Sequence, residues 1–261
     1  MSSSWRADSM RTLPWHHLTL LVSPLALLAA WIVLADSGAF PRQLLVPPRE
    51  VWQTFEQLLA SGELREHLGS SLSRLALGFV FGAGAGLAFG CAMALSPAVE
   101  AYCGPLFHTL RQVPSIALIP MFILFFGVEE TFKIVIVIKA TFFPVALATC
   151  EGVRGIPRSY FEVAQVQRLP LPTLLTQVAF PAAAPPILTG LRIGLSRAWM
   201  VLVAAELLAA DSGLGQMIEM SRQMLRIDVV MVGVLVTGLV GFTLDQGLRL
   251  LERRVLRWKP L

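Results

Sequence analysis

The feature that most constrains this chain is the gathering of its apolar residues into six long blocks, at 18–35, 72–95, 106–127, 131–150, 187–210 and 229–248. A bilayer's hydrocarbon core is about 30 Å thick, so a helix needs about 20 apolar residues to cross it. In that layer every backbone N–H and C=O must be satisfied within the structure, which makes helices the answer for runs of this length. The chain is 55% hydrophobic and 15% charged, whereas soluble domains carry about 25% charged residues. The blocks therefore predict an all-helical membrane protein with six spans. The first block exceeds the apolar core of a secretory signal, and the LADSGAF that follows has no small-x-small cleavage pattern. It reads as an uncleaved span with a cytoplasmic N-terminus.

Six spans starting inside place both termini and the segment 151–186 in the cytoplasm. Basic residues agree with that side: Arg6, Arg11, Arg154, Arg158, Arg168, Arg249, Arg253, Arg254, Arg257 and Lys259. The outer segments hold Arg42, Arg49, Arg65, Arg74, Lys133, Arg222 and Arg226. A net charge of +4 suits such a protein, and no basic patch interleaved with aromatics points to nucleic acid. His16 and His17 read as interfacial side chains, and Cys91, Cys103 and Cys150 as small apolar packers without metal-ligand spacing.

Two units are expected. Residues 1–71 hold the N-terminal tail, the first span and an outer segment; residues 72–261 form the core. In the outer segment Val51, Trp52, Phe55, Leu58 and Leu59 share one helical face, which predicts a helix lying on the membrane surface. In the second span Gly78, Gly82, Gly86 and Gly90 recur every fourth residue, giving a smooth face for close helix approach. Pro114 and Pro120 interrupt the third span.

The segment 151–186 is long for a connection and has helical signals of its own. Ser159 and Glu162 fit a capping box that opens a short helix to about Leu169. Pro170 and Pro172 break it. A second short helix over 173–180 is expected to stop at Pro181.

Glu162, Val163 and Ala164, with Pro181 nineteen positions after Glu162, resemble the EAA loop of ATP-binding-cassette importer permeases. That pattern has a Gly six positions after the Glu, where this chain has Arg168. A Gly there allows a positive φ or a close backbone approach. LRQVPSIALIPMFILFFGVEE, TGLRIGLSRAW and AAELLAADSGLG are similar to the branch carrying aliphatic sulfonates, taurine, nitrate and related small solutes. The resemblance implies a type I importer permease in a bacterial inner membrane. It implies a second copy of this chain, an extracytoplasmic solute-binding protein, and ATPase subunits that bring ATP and magnesium. Ser159, Glu162, Val163, Ala164, Arg168 and Pro181 would then form the coupling site.

The chain has no phosphate-cradling G-x-x-x-x-G-K-[ST] motif and none of G-x-S-x-G, H-E-x-x-H or C-x-x-C, so it is not expected to be an enzyme or to carry a cofactor. Charges inside the spans stand out, because each costs at least ~2.5 kcal/mol at a helix centre. Lys139, Arg192, Arg197 and Glu206, with Trp199 among them, are the candidate pathway residues. Arg192 and Arg197 diverge by about 140° on a helix and need not face one cavity. Arg111 and Asp245 are placed near water. Lys139 faces either the pathway or a neighbouring span. A stand-alone secondary transporter or channel is the rival reading, whose mark would be an internal repeat with broken helices.

Overall fold

The computed structural model describes residues 15–38, 41 and 45–256. The basic residues Arg6, Arg11, Arg42, Arg257 and Lys259 lie outside the described residues, as do the side chains of His16 and His17.

The described residues fold as helices without strands. In chain order they are α1 (Trp15–Asp36), α2 (Pro48–Ser61), α3 (Glu63–Leu95), α4 (Pro97–Leu110), α5 (Ile119–Phe126), α6 (Glu130–Arg154), α7 (Arg158–Val166), α8 (Leu171–Leu174), α9 (Phe180–Leu208), α10 (Leu214–Gln223) and α11 (Ile227–Val255). Among the described residues four helices are long and apolar enough to cross a membrane: α3, α6, α11, and α9 with its lead-in from Thr176. Two further apolar helices, Val22–Asp36 and Ile116–Phe126, are shorter.

α6 lies between α3 and α9. All four glycines of the α3 repeat face it. A Cβ on Gly82 would sit 2.8 Å from the Ile138 carbonyl oxygen, and one on Gly86 would sit 2.9 Å from that of Phe142. Successive glycines meet successively later residues of α6, so the two helices run parallel. On α9, Gly190 meets Pro144 and Ala148 while Gly194 meets Thr141 and Val145, so α9 runs antiparallel. Apolar transfer supplies little between helices already in lipid; close backbone packing replaces it, and small residues permit that packing. Phe132, Ile136, Ala198, Leu202, Leu214 and Val229 are fully or almost fully buried in the resulting core.

Because α3 and α6 are parallel, the chain between them must return the length of the bundle. It does so in two pieces. The third apolar block is not one helix over 106–127: α4 begins at Pro97, well before the block, and ends at Leu110, and α5 begins at Ile119. Pro114 has no N–H for a helical bond and disfavours helical geometry at Val113. Pro120 causes no break, since it sits in the first turn of α5 where its N–H is not needed.

Three local expectations are corrected. The apolar face of α2 does not simply rest on a membrane surface: Val51, Thr54 and Leu58 are buried, the helix packs on α3 and α11, and Thr54 donates to Asp228 at 3.0 Å. The capping box is absent. α7 starts at Arg158 with Pro157 in the N-cap position, because the fixed φ of Pro157 prepares the helix two residues earlier than a Ser159 cap would allow. Pro181 does not stop a helix. A wide π-turn over Leu175–Ala179 leads straight into α9, and Pro181 occupies the first turn, where proline is tolerated.

Candidate functional site

A cavity of about 310 Å³ opens where the α4–α5 return is broken. The break supplies Arg111, Gln112 and Ser115, α6 supplies Lys139, and α9 supplies Arg197. The antiparallel register of α6 and α9, extended about one turn from the Gly194 contact, sets Lys139 opposite Arg197. Lys139 is nine residues from the start of α6 and Arg197 eleven from the end of α9, or about 14 Å and 16 Å along the two helices. Both cations thus lie well inside their helices, away from either end.

Lys139 is held by the break itself. Its Nζ donates to the Val113 carbonyl at 2.6 Å and to Ser115 Oγ at 3.2 Å, and lies 5.7 Å from the centre of the Phe143 ring. The Val113 carbonyl is freed because Pro114 interrupts the helix. One ammonium therefore satisfies an acceptor that the fold would otherwise leave without a partner. Arg111 sits at the C-cap of α4, is exposed and lines the cavity.

The other candidate pathway residues lie elsewhere. Arg192 pairs with Glu252 at 3.4 Å and with Asp245 at 3.8 Å on α11, in line with its angular divergence from Arg197. Trp199 is buried, and its indole N–H donates to the Thr237 carbonyl at 3.1 Å. Glu206 is 1% exposed and belongs to an ionic cluster that reaches the surface at Glu130. Arg74 Nη1 donates to Glu206 at 2.8 Å and to the Ser212 carbonyl at 2.7 Å. Its Nη2 donates to Glu130 at 2.7 Å and to Ser212 Oγ at 2.6 Å, and its Nε also meets Glu130. Ser71 Oγ donates to Glu206 at 2.8 Å, and the Gly215 N–H donates to the same carboxylate at 3.1 Å. Lys133 Nζ closes the cluster on Glu130 at 2.8 Å. Two cations face two carboxylates, of which Glu206 is buried and Glu130 is 58% exposed; the pairing offsets part of the cost of burying the other three charges. Gly213, at φ +113°, lies so close to the Glu206 carboxyl that any side chain would collide with it. The sequence reading placed Arg74 in an outer segment. An arginine two residues inside an apolar block was the signal that it needed a buried partner.

At the other end of the bundle, the proposed coupling residues gather on the loop. Ser159, Glu162, Val163 and Arg168 are exposed and Ala164 is buried. Val163, Ala164 and Pro181 line a shallow cavity of about 510 Å³ with Tyr160, Gln167 and Leu169. Arg168 adopts φ +49°. The Leu169 N–H bonds the Ala164 carbonyl and the Arg168 N–H bonds that of Gln165, each at 3.0 Å. That is the Schellman closure of a helix, with Arg168 at the position glycine usually fills. Arg168 thus makes a glycine-type turn without a glycine.

The chain matches the family described as "Binding-protein-dependent transport system inner membrane component" over residues 82–257. It is 40% identical to the putative aliphatic sulfonates transport permease protein SsuC of Bacillus subtilis over 92% of this chain and 87% of that one. It is 36% identical to the taurine transport system permease protein TauC of Escherichia coli over 95% of this chain and 94% of that one. A solved structure of the MetNI methionine ABC transporter, in inward facing conformations, matches 71% of this chain and 94% of its own with a TM-score of 0.56 at 18% identity, which extends the likeness to the fold. The chain belongs to the binding-protein-dependent transport system inner membrane components, the non-enzymatic permease subunits of ATP-binding-cassette importers.

Proposed function

We propose that this permease imports aliphatic sulfonates or a closely related small anion, and that the solute passes the cavity between the α4–α5 break, α6 and α9. The observation that carries this reading is the meeting of Lys139 and Arg197 on one cavity that no Asp or Glu lines. A cavity walled by cations in a low-dielectric layer raises the local concentration of anions and repels cations. The names of the sulfonate and taurine relatives point the same way. Glu206 and Trp199 support this route from behind, by fixing α9 against α3 and α11.

In this reading the chain crosses the membrane six times, with α1 and the split α4–α5 return completing the four long spans, and both termini are cytoplasmic. A second copy of the permease closes the pathway, an extracytoplasmic binding protein delivers the solute, and ATPase subunits dock on the α7 loop. ATP and magnesium act on those subunits. Closure of the ATPases moves α7, and the continuous π-turn and α9 transmit the motion to Arg197 as a rigid-body shift. The test is uptake of labelled ethanesulfonate by proteoliposomes holding the complete importer. Uptake should need ATP inside and the binding protein outside. Transport by the permease without an ATPase would establish the stand-alone transporter instead, and import restricted to neutral or cationic solutes would reject the anion reading.

A further inference from the structure

The sequence singled out Lys139 and Arg197 as possible pathway charges, but the cavity holds more than these two. Arg111 faces the same space from the end of α4, and Gln112 and Ser115 add uncharged polar groups. Among the described residues neither the Arg111 nor the Arg197 guanidinium makes a hydrogen bond or ion pair, and Arg111 and Arg197 are both exposed to the open space. Among the described residues this differs from Arg192 inside the bundle and from Arg74 at its end. Arg192 has Asp245 and Glu252, and Arg74 has Glu130 and Glu206. Among the described residues Arg74 and Arg192 have carboxylate partners, and no carboxylate lines this cavity.

Three like charges converging on one cavity repel one another in a low-dielectric setting. Facing lipid, each would cost at least ~2.5 kcal/mol. An oxyanion between them reverses both effects. Each guanidinium offers a planar fork of N–H donors that matches a sulfonate, carboxylate or phosphate oxygen pair. Lys139 adds a third positive charge while its Val113 and Ser115 contacts hold it in place. The volume of about 310 Å³ falls at the lower end of small-molecule pockets, which run from ~300 Å³, so it suits a solute of a few heavy atoms.

We infer that the cavity is a binding site for one small oxyanion within the permease, with Arg111 and Arg197 as its anion ligands and Lys139 as its fixed positive charge. This rests on the anion reading above and goes further: the permease itself holds and selects the solute, after the binding protein has released it. The shared chemistry is a singly charged oxyanion, and either a solute or the headgroup of an anionic lipid could provide it; the site is assigned to the solute.

The test uses the purified permease–ATPase complex in nanodiscs of phosphatidylcholine, without the binding protein, and titrates it with ethanesulfonate by calorimetry. Saturable binding is expected, with none for dimethyl sulfone, a similar molecule without charge. Arg111→Gln and Arg197→Gln should each weaken binding by roughly tenfold or more, the worth of a charge-assisted hydrogen bond, and Arg197→Lys should recover part of it. ATPase copurification and elution volume confirm that each variant is assembled. If a glutamine variant does not assemble, the Lys variant at the same position carries the test, since it keeps the charge and loses the fork. No saturable binding, or binding that none of these variants changes, overturns the inference. So does ethanesulfonate binding that vanishes when phosphatidylglycerol replaces phosphatidylcholine, because the site is then a lipid site. An importer that takes up ethanesulfonate with its binding protein but shows no site in the isolated complex keeps the proposed function and loses this inference.

Discussion

Arg74 and Glu206, 132 residues apart in sequence, meet at 2.8 Å, and their side chains are 4% and 0% exposed. Their contact joins α3 to α9 across the start of α6, and Ser71, Glu130, Ser212 and Gly215 fill most of the remaining hydrogen-bonding positions. Removing one member of such a cluster leaves the other charge buried without its partner, at a cost of about 3–5 kcal/mol. Arg74→Met should therefore lower the thermal stability of the purified permease sharply. Arg74→Met combined with Glu206→Gln should recover a measurable part of the loss. Additive losses in the double variant would show that the two residues act separately.

The glycine stripe gives a prediction with its own control. Gly82 and Gly84 are neighbours on α3, but only Gly82 faces α6; a Cβ on Gly84 meets nothing within 4 Å. Gly82→Ala has to push against the Ile138 carbonyl, a backbone atom that cannot rotate away, and overpacking of this kind costs about 1–3 kcal/mol. Gly84→Ala relieves helix entropy and should be neutral or stabilising by up to ~1 kcal/mol. Melting temperatures of the two variants in the same detergent settle the sign of each.

Much of this arrangement could be read from the sequence, and the reasons for the remainder are physical. Apolar length predicted α3, α6, α9 and α11, because helix-forming runs longer than 18 residues have few alternatives in lipid. The four-residue glycine spacing predicted a packing face, though not which helix would fill it. The ionic cluster was hidden because Arg74, Glu130 and Glu206 are brought together by helix register, which no local pattern encodes. The cationic cavity was hidden in the same way: Lys139 and Arg197 were visible singly, while Arg111 joined them only through the break at Pro114. The loop shows the opposite failure. A good local motif at Ser159 and Glu162 was overridden by Pro157, two residues outside the window that defined it.

That override bears on Glu162. It is exposed and forms no hydrogen bond within the chain among the described residues, so it does not cap α7. Glu162→Ala should leave the melting temperature of the permease unchanged, as surface substitutions generally alter stability by less than ~0.5 kcal/mol. It should reduce the amount of ATPase that copurifies. Equal loss of stability and association would instead give Glu162 a structural role within the loop.

Arg168 closes the loop in a conformation that costs an L-residue about 1–2 kcal/mol relative to glycine. Arg168→Gly removes that strain but also loosens the unfolded chain, which offsets about 0.4–1 kcal/mol. The net change in stability should be small and favourable, and transport-coupled ATP hydrolysis should be kept. Arg168→Val should lose both, since a β-branched residue is a clear outlier at positive φ. Loss of coupling in Arg168→Gly with full stability would show that the guanidinium itself touches the ATPase.

Lys139 combines two tasks that substitutions can separate. It satisfies the Val113 carbonyl, which Pro114 has freed, and it brings positive charge to the cavity. Lys139→Met removes the donor and the charge together. It should destabilise the permease by about 1 kcal/mol, the worth of a hydrogen bond to a half-buried acceptor, and impair anion uptake. Lys139→Gln keeps an N–H donor on a shorter, uncharged side chain. If the charge serves transport, the Gln variant should regain much of the lost stability while uptake of ethanesulfonate at low concentration stays depressed. The defect should shrink as the solute concentration rises, because an electrostatic attraction for the anion acts on occupancy before it acts on turnover. If Lys139 serves packing alone, stability and uptake should recover together in Lys139→Gln. Uptake curves and melting temperatures measured on the same two preparations distinguish these outcomes, and parallel recovery would remove Lys139 from the pathway and leave it as the pin that holds the broken helix in place.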